Sequence, residues 1–135
     1  MTTKQKKCAD LIDGQLRKTM ADVRKLWRLY QKDPEATDDR LGNFNDYGLS
    51  LAVVNPEDGP SYVQWQLSWG GPSDEFRFYM NSLGNCYSTE YVYMDWYDGA
   101  KKLVLGEDRA LLMEIFEDWK DCGSVEAWIE QAKAE

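Results

Sequence analysis

Across residues 4–32 apolar side chains return at three- and four-residue steps: Cys8, Leu11, Ile12, Leu16, Met20, Val23, Leu26, Trp27 and Tyr30. That spacing puts them on one side of an α-helix, with lysines and arginines between them. Gly14 weakens the helix by about 1 kcal/mol relative to alanine. Asp33-Pro34 ends it, because the residue before a proline avoids the α region. The polar stretch 35–46 then reads as a connecting loop.

From Tyr47 the period shortens to two. Leu49, Leu51 and Val53, then Val63, Trp65, Leu67 and Trp69, then Phe76, Phe78 and Met80 alternate with polar or small residues. Another run covers 87–97. Turn residues at 55–60, Gly70-Gly71-Pro72-Ser73 and Ser82-Leu83-Gly84-Asn85 separate these runs. Asp98-Gly99 is a two-residue hairpin signal, which makes 101–105 a short fifth strand. Strands joined by tight turns imply an antiparallel meander, since parallel pairing needs crossovers.

Helical spacing resumes over 106–121 through Leu111, Leu112, Ile115, Phe116 and Trp119. Glu107 and Asp108 fall in the first turn, where the helix dipole favours acids. Cys122-Gly123 closes this helix, and Ser124 is positioned to cap a last one carrying Val125, Trp128 and Ile129. The predicted fold is α+β, in the order α-βββββ-αα. One domain spans 1–135, with a basic amphipathic helix over 4–32, a sheet over 47–105 and two helices over 106–133.

The alternation gives the sheet two unlike faces. A core face carries Leu49, Leu51, Val53, Val63, Trp65, Leu67, Trp69, Phe76, Phe78, Met80, Val92, Met94 and Trp96. The other carries Tyr62, Gln64, Gln66, Glu75, Arg77, Tyr79, Tyr91, Tyr93, Asp95 and Tyr97. This second face either lies under the N-terminal helix or forms an interface, since tyrosine supplies large contact area at low entropy cost.

Charge changes this picture most. The chain of 135 residues holds 16 Lys/Arg and 24 Asp/Glu; nine bases and three acids lie up to Lys32, leaving seven bases against twenty-one acids. A segregation of this kind reports on what a surface meets rather than on the fold. The basic helix is expected to pack its apolar stripe on the acidic body, with charge attraction reinforcing the docking. The acidic remainder argues against direct nucleic-acid binding, which needs a positive footprint. No stretch approaches the roughly 20 apolar residues of a membrane span, and no signal peptide is recognised. Three scattered cysteines suggest no disulfide framework. A cytoplasmic protein is expected.

Chemical motifs are scarce. The chain has no histidine, which removes histidine bases, ligands and nucleophile partners. No phosphate-binding loop appears. Asp74-Glu75, and Asp95 with Asp98, are the pairs that acid–base chemistry would use. Asp38, Asp39, Asn43, Asn45 and Asp46 offer oxygen ligands, without the spacing of a calcium loop. No catalytic residue, cofactor or metal is expected. The carboxylates Asp95, Glu107, Asp108, Glu114, Glu117, Asp118 and Asp121, spaced so that they can imitate a line of phosphates, form the candidate partner-binding set, with Tyr91 and Tyr93 as anchors.

The segments LGNFNDYGLSL, QLSWGGPSDEFRFY and MDWYDGAKKLVL, with the acidic helix ending in DCG, resemble small acidic accessory proteins of phages, plasmids and conjugative elements. The resemblance covers about 41–123. It implies an inhibitor of the anti-restriction or anti-CRISPR type, a non-enzymatic protein whose partner presents a basic nucleic-acid-binding surface. An adaptor or regulatory protein of a mobile element, homodimeric through the N-terminal helix, is the alternative. A carboxylate-dependent hydrolase is the third reading.

Overall fold

A computed structural model describes residues 7–70 and 72–134. Its elements are α1 (Cys8–Lys32), a 3-10 turn (Phe44–Asp46), β1 (Ser50–Val54), β2 (Tyr62–Ser68), β3 (Ser73–Met80), β4 (Cys86–Asp95), β5 (Asp98–Leu103), α2 (Gly106–Asp121) and α3 (Ser124–Lys133). The protein is α+β, and the five strands form one antiparallel sheet in the order β1-β2-β3-β4-β5. Residues 4–6 of the predicted helix lie outside the described residues.

The helices pack against one face of the sheet. Register places Val63 opposite Phe78, Trp65 opposite Phe76, and Phe76 in turn opposite Tyr91. Phe78 stacks on Phe116 of α2, while Trp119 meets Trp65, Phe78 and Trp128 edge-on. The apolar stripe of α1, from Cys8 through Ile12, Leu16, Met20, Val23, Leu26 and Trp27, is buried in the same core. Aromatic pairs at these separations add about 0.5–1.5 kcal/mol each beyond the area they bury. Among the described residues, no helix packs on the opposite face of the sheet.

The β4 strand reverses the predicted faces. Tyr91 and Tyr93 belong to the helix-covered core, at 0% and 7% exposure. Val92 lies on the open face, opposite Glu75, and Met94 opposite Ser73. The reason is a partner for the phenol: Tyr91 Oη donates to Asp74 Oδ2 at 2.5 Å. A buried tyrosine with a satisfied hydroxyl packs as well as a phenylalanine. Leu49, Trp69 and Trp96, predicted as core, are exposed.

The last hairpin also turns earlier than Asp98-Gly99 suggests. Asp95 pairs with Asp98, so the loop is Trp96-Tyr97. Asp98 is held in the strand by a second duty, its carboxylate accepting the Cys8 N–H at 2.6 Å. That bond satisfies one of the orphan donors at the start of α1, and it draws the Asp98 carboxyl below its usual range. Two smaller corrections concern glycine. At Gly48 φ is +84°, and a Cβ there would come within 2.8 Å of Trp65 Nε1, so β1 starts only at Ser50. Gly123, at φ 85°, is the cap residue of α3; Ser124 is already helical and caps nothing.

Candidate functional site

The helix α2 shows two faces. Leu112, Ile115, Phe116 and Trp119 are buried, which turns residues one and two positions away from them outward. Glu114, Glu117, Asp118 and Asp121 therefore come together, lining one wall of an open groove of about 550 Å³. The other wall comes from α1 and the residues after it, Trp27, Tyr30, Gln31 and Pro34. Gln31 Nε2 crosses the groove to donate to Glu114 Oε1 at 3.0 Å. Among the described residues, no lysine or arginine lines it. Among the described residues, none of its four carboxylates takes part in an ion pair.

The aromatic wall is rigid. Trp27 is 3% exposed. Its ring stacks on Tyr30 at 5.5 Å and tilts against Phe44 at 5.1 Å. Its indole N–H is buried and has no hydrogen-bond partner among the described residues. Orphaned buried donors are rare in folded proteins and need an explanation.

The remaining candidates scatter. Asp108 is tied to Arg24 of α1 at 2.8 Å. Glu107 is exposed in the first turn of α2, outside the groove. Asp95 sits beside the β4–β5 loop, with Oδ1 buried and without a partner among the described residues. Tyr91 and Tyr93 lie in the core and present no surface to a partner. Four of the nine candidates thus share one site. Trp27 and Tyr30, its other wall, were legible only as members of a helical core stripe.

Ion pairs between α1 and the body run in both directions. Arg24 meets Asp108 and Lys25 meets Asp38, but Asp22 meets Arg40 and Asp13 meets Lys102. The basic helix therefore does not neutralise the groove. Arg24, Lys25, Arg28 and Lys32 line a separate depression on α1.

Other carboxylates are spent internally. Asp74 and Glu75 point to opposite faces of the sheet, so they do not share a substrate. On the covered side Asp74 takes the hydroxyls of Tyr91 and Ser68, and burial pushes the Tyr91 phenol well above its usual range. On the open side Arg77 Nε donates to Glu75 Oε2 at 2.8 Å, and Gln64 Nε2 donates to both Glu75 oxygens at 3.1 Å. The Arg77 guanidinium lies 4.8 Å over the Tyr62 ring, and Tyr79 Oη donates to Glu90 at 2.6 Å. In the loop, Asp38 accepts the N–H groups of Arg40 and Leu41. The Asn43 side chain accepts the Asn45 N–H and donates to the carbonyls of Pro34 and Ala36. These are turn-forming contacts. Among the described residues no cluster of three or more Cys, Asp or Glu is arranged to hold a metal ion.

No protein-family model, curated protein or solved structure matches this chain. Among the described residues, no helix is long and apolar enough to cross a membrane.

Proposed function

We propose that this is a non-enzymatic binding protein whose α1–α2 groove occupies a basic, nucleic-acid-binding surface of a protein partner. The partner of choice is a nucleic-acid-targeting defence complex of the restriction or CRISPR type, in keeping with the accessory proteins that the sequence resembles. The observation that carries the reading is the gathering of Glu114, Glu117, Asp118 and Asp121 on one wall with no base among them. Carboxylates spaced along a helix face present to lysines and arginines what a run of phosphates presents. Association would be fast and steeply salt-dependent.

The test is displacement of labelled DNA from purified restriction and CRISPR nucleases. The chain should displace it from at least one of them at low salt and lose that ability as salt rises. The triple variant Glu114→Ala, Glu117→Ala, Asp118→Ala should need at least about tenfold more protein, an effect of 1.4 kcal/mol or more, with its thermal midpoint within a few degrees of wild type. Full displacement by the triple variant would reject the groove as the contact.

A second reading has its own observation. At one end of the sheet Trp69, Trp96 and Tyr97 are 70%, 86% and 105% exposed, and Trp96 holds φ at 55°. An exposed aromatic in a backbone region that disfavours it fits an adaptor that grips a protein partner by this tip.

A further inference from the structure

The two edges of the sheet are protected unequally. β5 is guarded twice: Lys101 and Lys102 stand on it, and α1 packs against it, with Lys102 paired to Asp13. Lysines and covering elements are the usual means of keeping a sheet edge from pairing with another chain. β1, at the other edge, carries no lysine. Among the described residues, β2 and α3 are the elements it packs against, and no backbone outside β2 hydrogen-bonds to Ser50–Val54. Alternate N–H and C=O groups of an antiparallel edge strand point out along the plane of the sheet, where they form a template for a further strand. From Tyr47 through Asn55 the chain also holds no charged residue and no proline. Leu49 is 52% exposed there, and Leu51, Val53 and Val54 are only half-buried.

A strand added to this edge has two conditions to meet. Its apolar side chains must fall on the helix side, where Leu51 and Val53 lie opposite Trp65 and Val63. It must also approach a protein whose net charge is −8. A second copy of β1 meets both when it runs antiparallel across a two-fold axis through Ala52. Leu51 then faces the second copy's Val53, Ser50 faces its Val54, and Ala52 faces its own twin. A slip of one residue would set the apolar positions against the open face, so the register is specified. The contact is isologous, and the two acidic copies meet where neither presents a charge.

We propose that β1 is a self-association edge: two copies of this chain pair through Ser50–Val54 and double the five-stranded sheet. The helix layer continues with it, since α3 packs on β1 in each copy. The α1–α2 groove lies on the side of the layer away from β1, with α1 on β5. Each copy therefore keeps its groove open, and the inference does not depend on what the groove binds.

Sedimentation of the full chain over a wide concentration range reads the association. Wild type should pass from monomer to dimer as concentration rises. The dimer should tighten as salt screens the charge of the two copies, the reverse of the salt effect on DNA displacement. Ala52 is exposed, so a charged residue there is compatible with the folded monomer, whose thermal midpoint at low concentration should stay within a few degrees of wild type. Ala52→Lys and Ala52→Glu should each weaken the dimer at least about fivefold, because like charges then stand directly opposite each other. An equimolar mixture of the two variants should associate more tightly than either alone. Wild type that remains a monomer at about 1 mM overturns the proposal and leaves β1 to a strand from another protein. A dimer that both variants leave intact overturns it as well, since the contact is then elsewhere. Weakening by glutamate but not by lysine would trace the effect to overall charge, and a mixture no tighter than its components would reject the two-fold through Ala52; either result sinks the pairing.

Discussion

The two faces of the sheet bury their carboxylates by different means. On the covered face Asp74, 5% exposed, has no ion-pair partner among the described residues and is held by the Tyr91 and Ser68 hydroxyls. On the open face Glu75, 2% exposed, is held by the Arg77 guanidinium and the Gln64 amide. A carboxylate under a helix layer can be served by hydroxyls that pack as part of the core. On an open face a long cation can bring its own stem as cover and keep its head near water. The contrast teaches that a carboxylate at the centre of a five-stranded sheet can be buried on either side, so burial alone does not tell which side carries the helices.

Removing each carboxylate separates the two solutions. Asp74→Ala strands the Tyr91 hydroxyl in a fully buried position and should cost about 3 kcal/mol in urea unfolding, the upper end for bonds to a charged group. Glu75→Ala leaves Arg77 on a face that water reaches and should cost only about 1–2 kcal/mol. Equal losses would break the comparison, because they would mean that the open face is sealed from solvent by something else, such as a second copy.

The same contrast explains how much the sequence revealed. Helix α1 was legible because its stripe is one-sided: Asp13, Gln15, Arg17, Lys18 and Asp22 fall between Ile12, Leu16, Met20 and Val23. The meander was legible from its turns. In β4, however, Tyr91, Val92 and Tyr93 are all buried, so alternation carried no information about direction, and the aliphatic residues were assigned to the core by hydropathy. What decides the matter is Asp74, a partner on another strand that no local window contains. The groove was half legible for a similar reason. The acids of α2 announce a polar face, but Trp27 and Tyr30 look like core until the chain brings α1 beside α2.

A smaller effect should appear at the perimeter, where a carboxylate does have an exposed base. The Lys25 ammonium beside Asp38, helped by the Leu41 and Arg40 N–H groups, lowers that carboxyl to about 2. A depressed carboxyl stabilises the fold above its unfolded value and loses that contribution as pH falls through the folded one. The window is therefore about pH 4 down to 2. Lys25→Ala should lower the thermal midpoint at neutral pH and converge with wild type near pH 2. Parallel curves down to pH 2 would show that the pair contributes nothing. Asp74, which has no such cation, gives a midpoint loss that this substitution does not change.

The smallest effect is expected where the open face ends, at Trp96. Its φ of 55° costs an L-residue about 1–2 kcal/mol. Glycine relieves that strain but gives the unfolded chain about 0.5–1 kcal/mol of extra freedom. Trp96→Gly should therefore raise stability by no more than about 1 kcal/mol, in contrast to every large side chain of the covered face, whose truncation can only destabilise. A loss instead would mean that Trp96 draws real packing energy from Met94 and Ser73, which share its shallow groove. A gain in stability combined with undiminished DNA displacement would separate the tip from the acidic groove. A gain combined with lost displacement would show that the backbone keeps a strained tryptophan there because a partner needs it, and the adaptor reading would take precedence over the acidic one.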